Sequence, residues 1–334
     1  MEEEDPDIHT TSSNDSNDEV MSEIHLGCPP SHMAPYISRF RLYSPHLNAT
    51  GDSLGSLCAS IIEDKEGDLD VPRRKNRDQP TSCPLLIQHR ITSSIPSVGL
   101  QVWKAAFLLV DFILHQFLTS SDFSNEVALE LGSGTGLVGI VLARFAKIVF
   151  LTDRDAEILD NCATNVQLNR ELFKCDNVLV RELDWKKSWP PIVESSEMSC
   201  RYAWSSSEIH MAEQASLLLA ADVIYCDELT DSLFDTLECL MSRGSEKVLY
   251  LSLEKRYNFT IDALDTVANG YLHFLKYLED EESAEGSAAE LSLRSAYFVG
   301  KRIDIKQIPQ YVREYERGND LEIWQIRYVR SMTT

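Results

Sequence analysis

Carboxylates recur in this chain where a ligand would need them. Asp153, Asp184 and Asp222 each stand at the close of a short apolar run: Ile148-Val149-Phe150-Leu151-Thr152, Val178-Leu179-Val180 continuing to Leu183, and Leu217-Leu218-Leu219-Ala220-Ala221. A fourth acid, Glu130, lies in Val127-Ala128-Leu129-Glu130-Leu131, just before the turn Gly132-Ser133-Gly134-Thr135-Gly136. Carboxylates accept hydrogen bonds and attract cations, while glycines reach φ > 0 and leave no side chain between backbone and ligand. Hydroxyls, an amine and a small nucleotide-like body are the ligand chemistry such a set serves. Taken singly, each acid reads as readily as a helix cap or a solvated residue.

Spacing narrows the choice. Asp153 falls about twenty residues after Gly132, the offset at which an acid after the second strand binds ribose hydroxyls. Asp184 can accept from an exocyclic amine, with Trp185 offering an apolar wall for a base. The glycine turn alone stays ambiguous, because Gly134-Thr135-Gly136-Leu137-Val138-Gly139 also satisfies G-x-G-x-x-G and allows a dinucleotide dehydrogenase. Glu130 argues against that reading, since it would repel a pyrophosphate but welcome the cationic amino group of a methionine moiety. A ligand with an amino acid at one end, a ribose in the middle and an adenine at the other fits all of these acids: S-adenosylmethionine.

These side chains meet only if their strands run parallel, so that the carboxyl ends share one edge of a sheet. The continuous apolar runs suit parallel strands covered on both faces. Leu85-Leu86-Ile87-Gln88-His89-Arg90-Ile91 reads as a strand, with Pro96 and Gly99 in a turn. From Leu100 a helix is expected, with Val102, Trp103, Ala106, Leu109, Val110, Ile113 and Leu114 on one stripe, ending before Ser120. Trp103, at its start, is placed to lean over a ligand pocket or to pack in the core. Helices are expected over 155–169, 229–242 and around 261–277, a further strand over 247–253, and a polar insertion over 186–215. An acidic loop over 279–290 precedes a terminal hairpin, 302–315 with 321–326, around Arg317-Gly318-Asn319-Asp320. The pattern is that of an α/β fold whose mixed sheet has a reversed strand, which an all-parallel dinucleotide sheet lacks.

Residues 1–82 are acidic and expected to be mostly disordered. Within them Val20-Met21-Ser22-Glu23-Ile24-His25-Leu26 and Tyr36-Ile37-Ser38-Arg39-Phe40-Arg41-Leu42 suggest a small hairpin docked on a folded domain of residues 83–334. The basic run Pro72-Arg73-Arg74-Lys75-Asn76-Arg77 reads as a solvated linker or as a nuclear-import signal, so nucleus and cytoplasm are the expected locations.

The run Val102-Trp103 with Ala106, the turn from Glu130 to Gly139, Thr152-Asp153, Leu183-Asp184-Trp185 and Ala221-Asp222-Val223-Ile224-Tyr225 together resemble the seven-β-strand protein methyltransferases of family 16. Tyr202-Ala203-Trp204-Ser205 and Leu253-Glu254-Lys255-Arg256 add to the likeness, which runs from about residue 85 onward. The resemblance implies a class I, Rossmann-like methyltransferase domain with a seven-stranded mixed sheet and a C-terminal antiparallel hairpin. It implies an enzyme that transfers methyl groups from S-adenosylmethionine to lysine amines of non-histone proteins. Carried over by position, Glu130, Gly132, Gly134 and Gly136 hold the methionine end and Asp153 the ribose. Asp184 and Trp185 flank the adenine, Ala221 borders the cofactor, and Trp103 closes the pocket. Asp222 and Tyr225 occupy the family's (D/E)-x-x-(Y/F) motif and orient the substrate amine. Val223-Ile224 stand where adenine-N6 and glutamine methyltransferases carry two prolines, which speaks against a planar amide or base amine.

Composition adds limits. The 334 residues are 43% hydrophobic and 25% charged, as in a globular chain with a large core. A formal charge of −22 disfavours direct nucleic-acid binding and suits a basic, Lys-rich protein substrate, though it also serves solubility. The eight cysteines lie far apart with no C-x-x-C pair, so reduced thiols and no metal site are expected. No secretory leader is seen, no apolar run is read as membrane-spanning, and a monomer is expected. Two other readings stay open: a nicotinamide-dependent oxidoreductase, and a catalytically silent adaptor that keeps the fold.

Overall fold

The computed structural model describes residues 19–22, 24, 35–43, 82–120, 123–174, 176–192, 201–260, 265–280 and 296–330. The basic run at 72–77, most of the acidic loop and most of the N-terminal region lie outside them. Strands β1 (Glu19–Met21), β2 (Tyr36–Tyr43), β3 (Ser82–His89) and β4 (Thr92–Ser94) precede helix α1 (Lys104–Thr119). Strand and helix then alternate: β5 (Val127–Leu131), α2 (Leu137–Leu142), β6 (Ile148–Asp153), α3 (Ala156–Leu168) and β7 (Val178–Glu182). Next come α4 (Ser206–Glu213), β8 (Leu217–Ala221), α5 (Asp227–Met241) and β9 (Val248–Glu254). A small hairpin of β10 (Asn258–Thr260) and β11 (Asp265–Val267), helix α6 (Asn269–Leu275), β12 (Leu278–Asp280), β13 (Ala296–Ile303) and β14 (Leu321–Arg330) follow.

The main sheet has eight strands in the order β12-β13-β14-β9-β8-β5-β6-β7. Strands β9, β8, β5, β6 and β7 run parallel, and β14 is antiparallel to both β9 and β13. Alternating side chains feed two cores. Ala128, Val149, Leu151 and Leu219 face α1, α2 and α3, whereas Leu129, Phe150, Leu218 and Leu251 face α5, α6 and the segment carrying Trp189 and Trp204. Helix starts follow their sequence signals: Asp155 accepts from the Glu157 amide, and Ser205 with Glu208 forms a capping box. Chain order reverses between β5 and β8, so the turn leaving β5 opens at the point where α/β sheets form a crevice.

Several expectations need correction. The sheet has eight strands, not seven: β12 joins the edge parallel to β13, with the Leu278 side chain packed over Gly300. The N-terminal strand patterns do not pair with each other; β1 pairs with β4 and β2 with β3, because Phe40 and Leu42 bury alongside Leu85 and Ile87 in the core under α1. The helix expected around 261–277 is confined to Asn269–Leu275, with the β10–β11 hairpin before it. The terminal hairpin opens at Ala296, and the segment between its strands is fastened to α1 rather than forming a tight turn. There Asp111, fully buried, accepts from the amides of Tyr311 and Val312, from the Tyr315 hydroxyl and from Arg317.

The stretch Ile95–Thr119 is long and apolar enough, by length and composition, to cross a membrane, which the reading of apolar runs had missed. Its apolarity matches its packing, for 67% of that window is buried inside the protein.

Candidate active site

A cavity of about 310 Å³ opens at the carboxyl edge of the parallel strands. Trp103, Glu130, Gly132, Gly134, Asp153, Asp184, Trp185, Ala221, Asp222 and Tyr225 all line it. Gly136 does not. At φ 77° it caps the start of α2, where a Cβ would lie 2.7 Å from the Cys162 sulfur, so its part is to shape the turn. Cys162, Cys226 and Cys239 are free thiols.

The turn is tied down from both sides. Asp153, at the end of β6, accepts the Gly134 amide through Oδ2 at 3.0 Å and the Arg154 amide through Oδ1 at 2.8 Å. A carboxylate has about four lone-pair sites, so Asp153 retains acceptor capacity toward the cavity. Burial raises its pKa. Glu130 is buried and accepts the Gly139 amide through Oε2 at 2.8 Å. Burial, reinforced by the charge of Asp153 and opposed by the Gly139 amide, pushes its carboxyl up to about 8. A cation at this spot would restore the charge that burial withholds.

Asp184 accepts the Lys186 amide at 3.1 Å, and the Trp185 ring lies against the open face of Gly132, 3.2 Å from where a Cβ would stand. At the other end Tyr225 is 45% exposed, and its phenol is pushed up to about 12, first by burial and then by the charge of Asp153, which keeps it neutral. Asp222 has φ 59°, a left-handed backbone rare outside glycine, and its carboxylate is held by Arg256.

Two residues of this site were missed in the sequence. Arg256 follows β9, as the acids follow β6, β7 and β8, so a charged triplet after an apolar strand was the signal available. Gln101 lines the cavity; its Nε2 donates to the Val20 carbonyl and to Ser93 Oγ, while its buried Oε1 has no partner among the described residues. Ser22 Oγ donates to the Val102 carbonyl beside it, so the N-terminal strand braces this wall. Nothing in local patterning announces a contact spanning that much chain.

The arrangement fits S-adenosylmethionine: acids spaced along one cavity, and a glycine cradle in which a Cβ at Gly134 would sit 2.8 Å from the Gly99 carbonyl oxygen. Residues 83–269 match the family model described as lysine methyltransferase. The chain belongs to the lysine methyltransferase family. It is 34% identical over 316 residues to methyltransferase-like protein 22 of Homo sapiens, covering 84% of this chain and 74% of that protein. It is also 31% identical over 177 residues to the protein N-lysine methyltransferase METTL21A of Xenopus tropicalis, covering 53% and 69%. To the protein-lysine N-methyltransferase EEF2KMT of Mus musculus it is 29% identical over 182 residues, covering 51% and 47%. This lysine methyltransferase is thus an enzyme acting on protein, with S-adenosylmethionine as its cofactor.

Proposed function

We propose that this lysine methyltransferase modifies a lysine on a basic, non-histone protein, and that it works as a monomer in nucleus and cytoplasm. The observation that carries the substrate reading is one cavity with two unlike ends: a buried acid turn at Glu130 and a half-exposed aromatic mouth at Tyr225. When bound, S-adenosylmethionine supplies an electrophilic methyl group on a sulfonium. Glu130 with the turn at Gly132 and Gly134 would receive its amino-acid end, Asp153 its ribose hydroxyls, and Asp184 with Trp185 its adenine. Gly136 serves this seat through the shape of the turn.

The protein's own work is then delivery. A lysine near pKa 10.4 must arrive uncharged, and withdrawal from water into an apolar passage lowers that pKa. Alignment of two reacting groups can supply on the order of 7–11 kcal/mol of a barrier, enough to need no covalent help from the chain. Tyr225, neutral at physiological pH, walls the mouth, and Trp103 covers the pocket from the start of α1. The acidic surface, with a formal charge of −22, supports a basic partner by speeding encounter.

The test is transfer of radiolabelled methyl groups into a lysate from cells lacking this protein, with the product identified by mass spectrometry. Labelled lysine on a non-histone protein, lost with Asp153→Ala, supports the reading. Label confined to histones, or unaffected by Asp153→Ala, overturns it. A thermal-shift comparison of S-adenosylmethionine with NADH addresses the oxidoreductase alternative, since only the true cofactor stabilises the fold.

A further inference from the structure

The family motif makes Asp222 the acid that meets the incoming amine, yet both oxygens of its carboxylate are engaged by this chain itself. Arg256 Nη1 and Nη2 bond Oδ1 and Oδ2 at 2.8 and 2.5 Å, and the Asp222 side chain is only 1% exposed. The pair bridges the ends of two neighbouring parallel strands, β8 and β9. The guanidinium is itself fixed, lying 5.1 Å from the Trp103 ring, whose indole N–H donates to the Val98 carbonyl at 3.1 Å. Asp222 also holds a left-handed backbone, φ 59°, and such strain persists only where its surroundings enforce it.

We propose that Arg256 is a positioning residue that masks Asp222, so that the acceptor end of the cavity takes a primary amine in its neutral form and not as an ammonium. This rests on the lysine-methylation reading above. A bare carboxylate within about 4–6 Å of an amine favours the charged form, the wrong direction for attack on a sulfonium. A bidentate guanidinium cancels that field while keeping the acid in place. The other charged or titratable groups around the site are Glu130 from β5, Asp153 and Arg154 at the end of β6, Asp184 after β7, Tyr225 and Cys226 after β8, and the Lys104–Glu254 pair of α1 and β9, 3.3 Å apart. Arg256 is the cation that holds both oxygens of Asp222.

Sinefungin tests this without a known substrate, because it carries a primary amine where S-adenosylmethionine carries its methyl group; S-adenosylhomocysteine carries nothing there. Affinities of the full chain for both nucleosides are measured by calorimetry at pH 7. Arg256→Gln should raise the preference for sinefungin about tenfold by exposing the carboxylate, and Arg256→Lys should stay near the wild-type ratio. Asp222→Asn added to Arg256→Gln should abolish the gain. Alone, Asp222→Asn should leave the ratio within about twofold, since the charge it removes is already masked. In lysate labelling, Arg256→Gln should move the pH optimum upward by about one unit, a shift that loss of packing alone would not produce. An unchanged ratio in Arg256→Gln that still binds S-adenosylhomocysteine overturns the proposal. So does a tenfold drop in sinefungin preference in Asp222→Asn alone, which needs no Arg256 variant to fold. If wild type binds both nucleosides but labels no lysine, the methylation reading fails separately; if it binds neither, both fall.

Discussion

The carboxyl group of Glu130 accepts the backbone N–H of Gly139 at 2.8 Å, tying the end of β5 to the first turn of α2 across the glycine loop. Helix starts favour negative charge there, yet burial outweighs that preference and leaves the group neutral near pH 7. The site thus holds a proton that a cationic ligand would expel.

That gives a pH prediction with a definite sign. An acid whose folded pKa is raised, here to about 8, contributes stability that is complete below its unfolded value and is lost as pH rises through about 8. The denaturation temperature of the free protein should therefore fall as pH rises from about 5 to about 8, and Glu130→Gln should flatten the fall. Binding of S-adenosylmethionine at pH 7 should release a proton, seen as calorimetric heats that depend on the buffer's ionisation enthalpy. Equal heats in phosphate and Tris would count against Glu130 as the seat of the amino group.

Gly134→Ala tests the cradle. Its methyl group would stand 2.8 Å from the Gly99 carbonyl oxygen on a backbone at φ 51°, so strain of about 1–3 kcal/mol is expected. Calorimetric cofactor affinity should drop at least about tenfold, since backbone and ligand can no longer approach closely. Wild-type affinity in this variant would remove the turn from the cofactor site.

Asp111→Ala addresses the latch between α1 and the segment before β14. Arg317, 15% exposed, would lose its carboxylate, and two amides and the Tyr315 hydroxyl would lose their acceptor. Breaking a buried pair from one side costs about 3–5 kcal/mol, measurable by urea denaturation. A loss under about 1 kcal/mol would show the cluster to be dispensable.

Trp204→Ala probes the insertion. Its ring stacks on Phe150 at 5.2 Å, meets Trp189 edge-on at 5.4 Å, and donates to the Glu182 carbonyl at 2.6 Å. Truncation should cost about 3–5 kcal/mol in thermal or urea unfolding. The cavity wall shares this core through Leu183, Trp185 and Val223, so calorimetric cofactor affinity should weaken as well.

What the sequence revealed was local and periodic. Continuous apolar runs marked β5, β6, β8 and β9, and glycine spacing marked the turn, because both properties are written in neighbouring residues. Acids at strand ends were legible as a group once a parallel sheet was assumed, since the sheet brings its ends together whatever the loops do. The remainder depended on contacts between distant segments. Ser22 and Gln101 brace one wall through bonds that no period encodes, and β2 finds β3 across a long acidic stretch. The partner of Asp222 stayed hidden for the same reason: an acid read alone shows its charge, whereas Arg256 holds it from just past the next strand.

Strand β14 lies between β9 and β13, inside the sheet, although it is the last of these to be made. While a ribosome is still adding residues 321–330, Val248–Glu254 has no neighbour on that side and exposes a row of unpaired amides and carbonyls. The nascent polypeptide is then at its most adhesive. Closure of the sheet on that side waits for residues 321–330, so chaperone dependence in the cell should track their arrival.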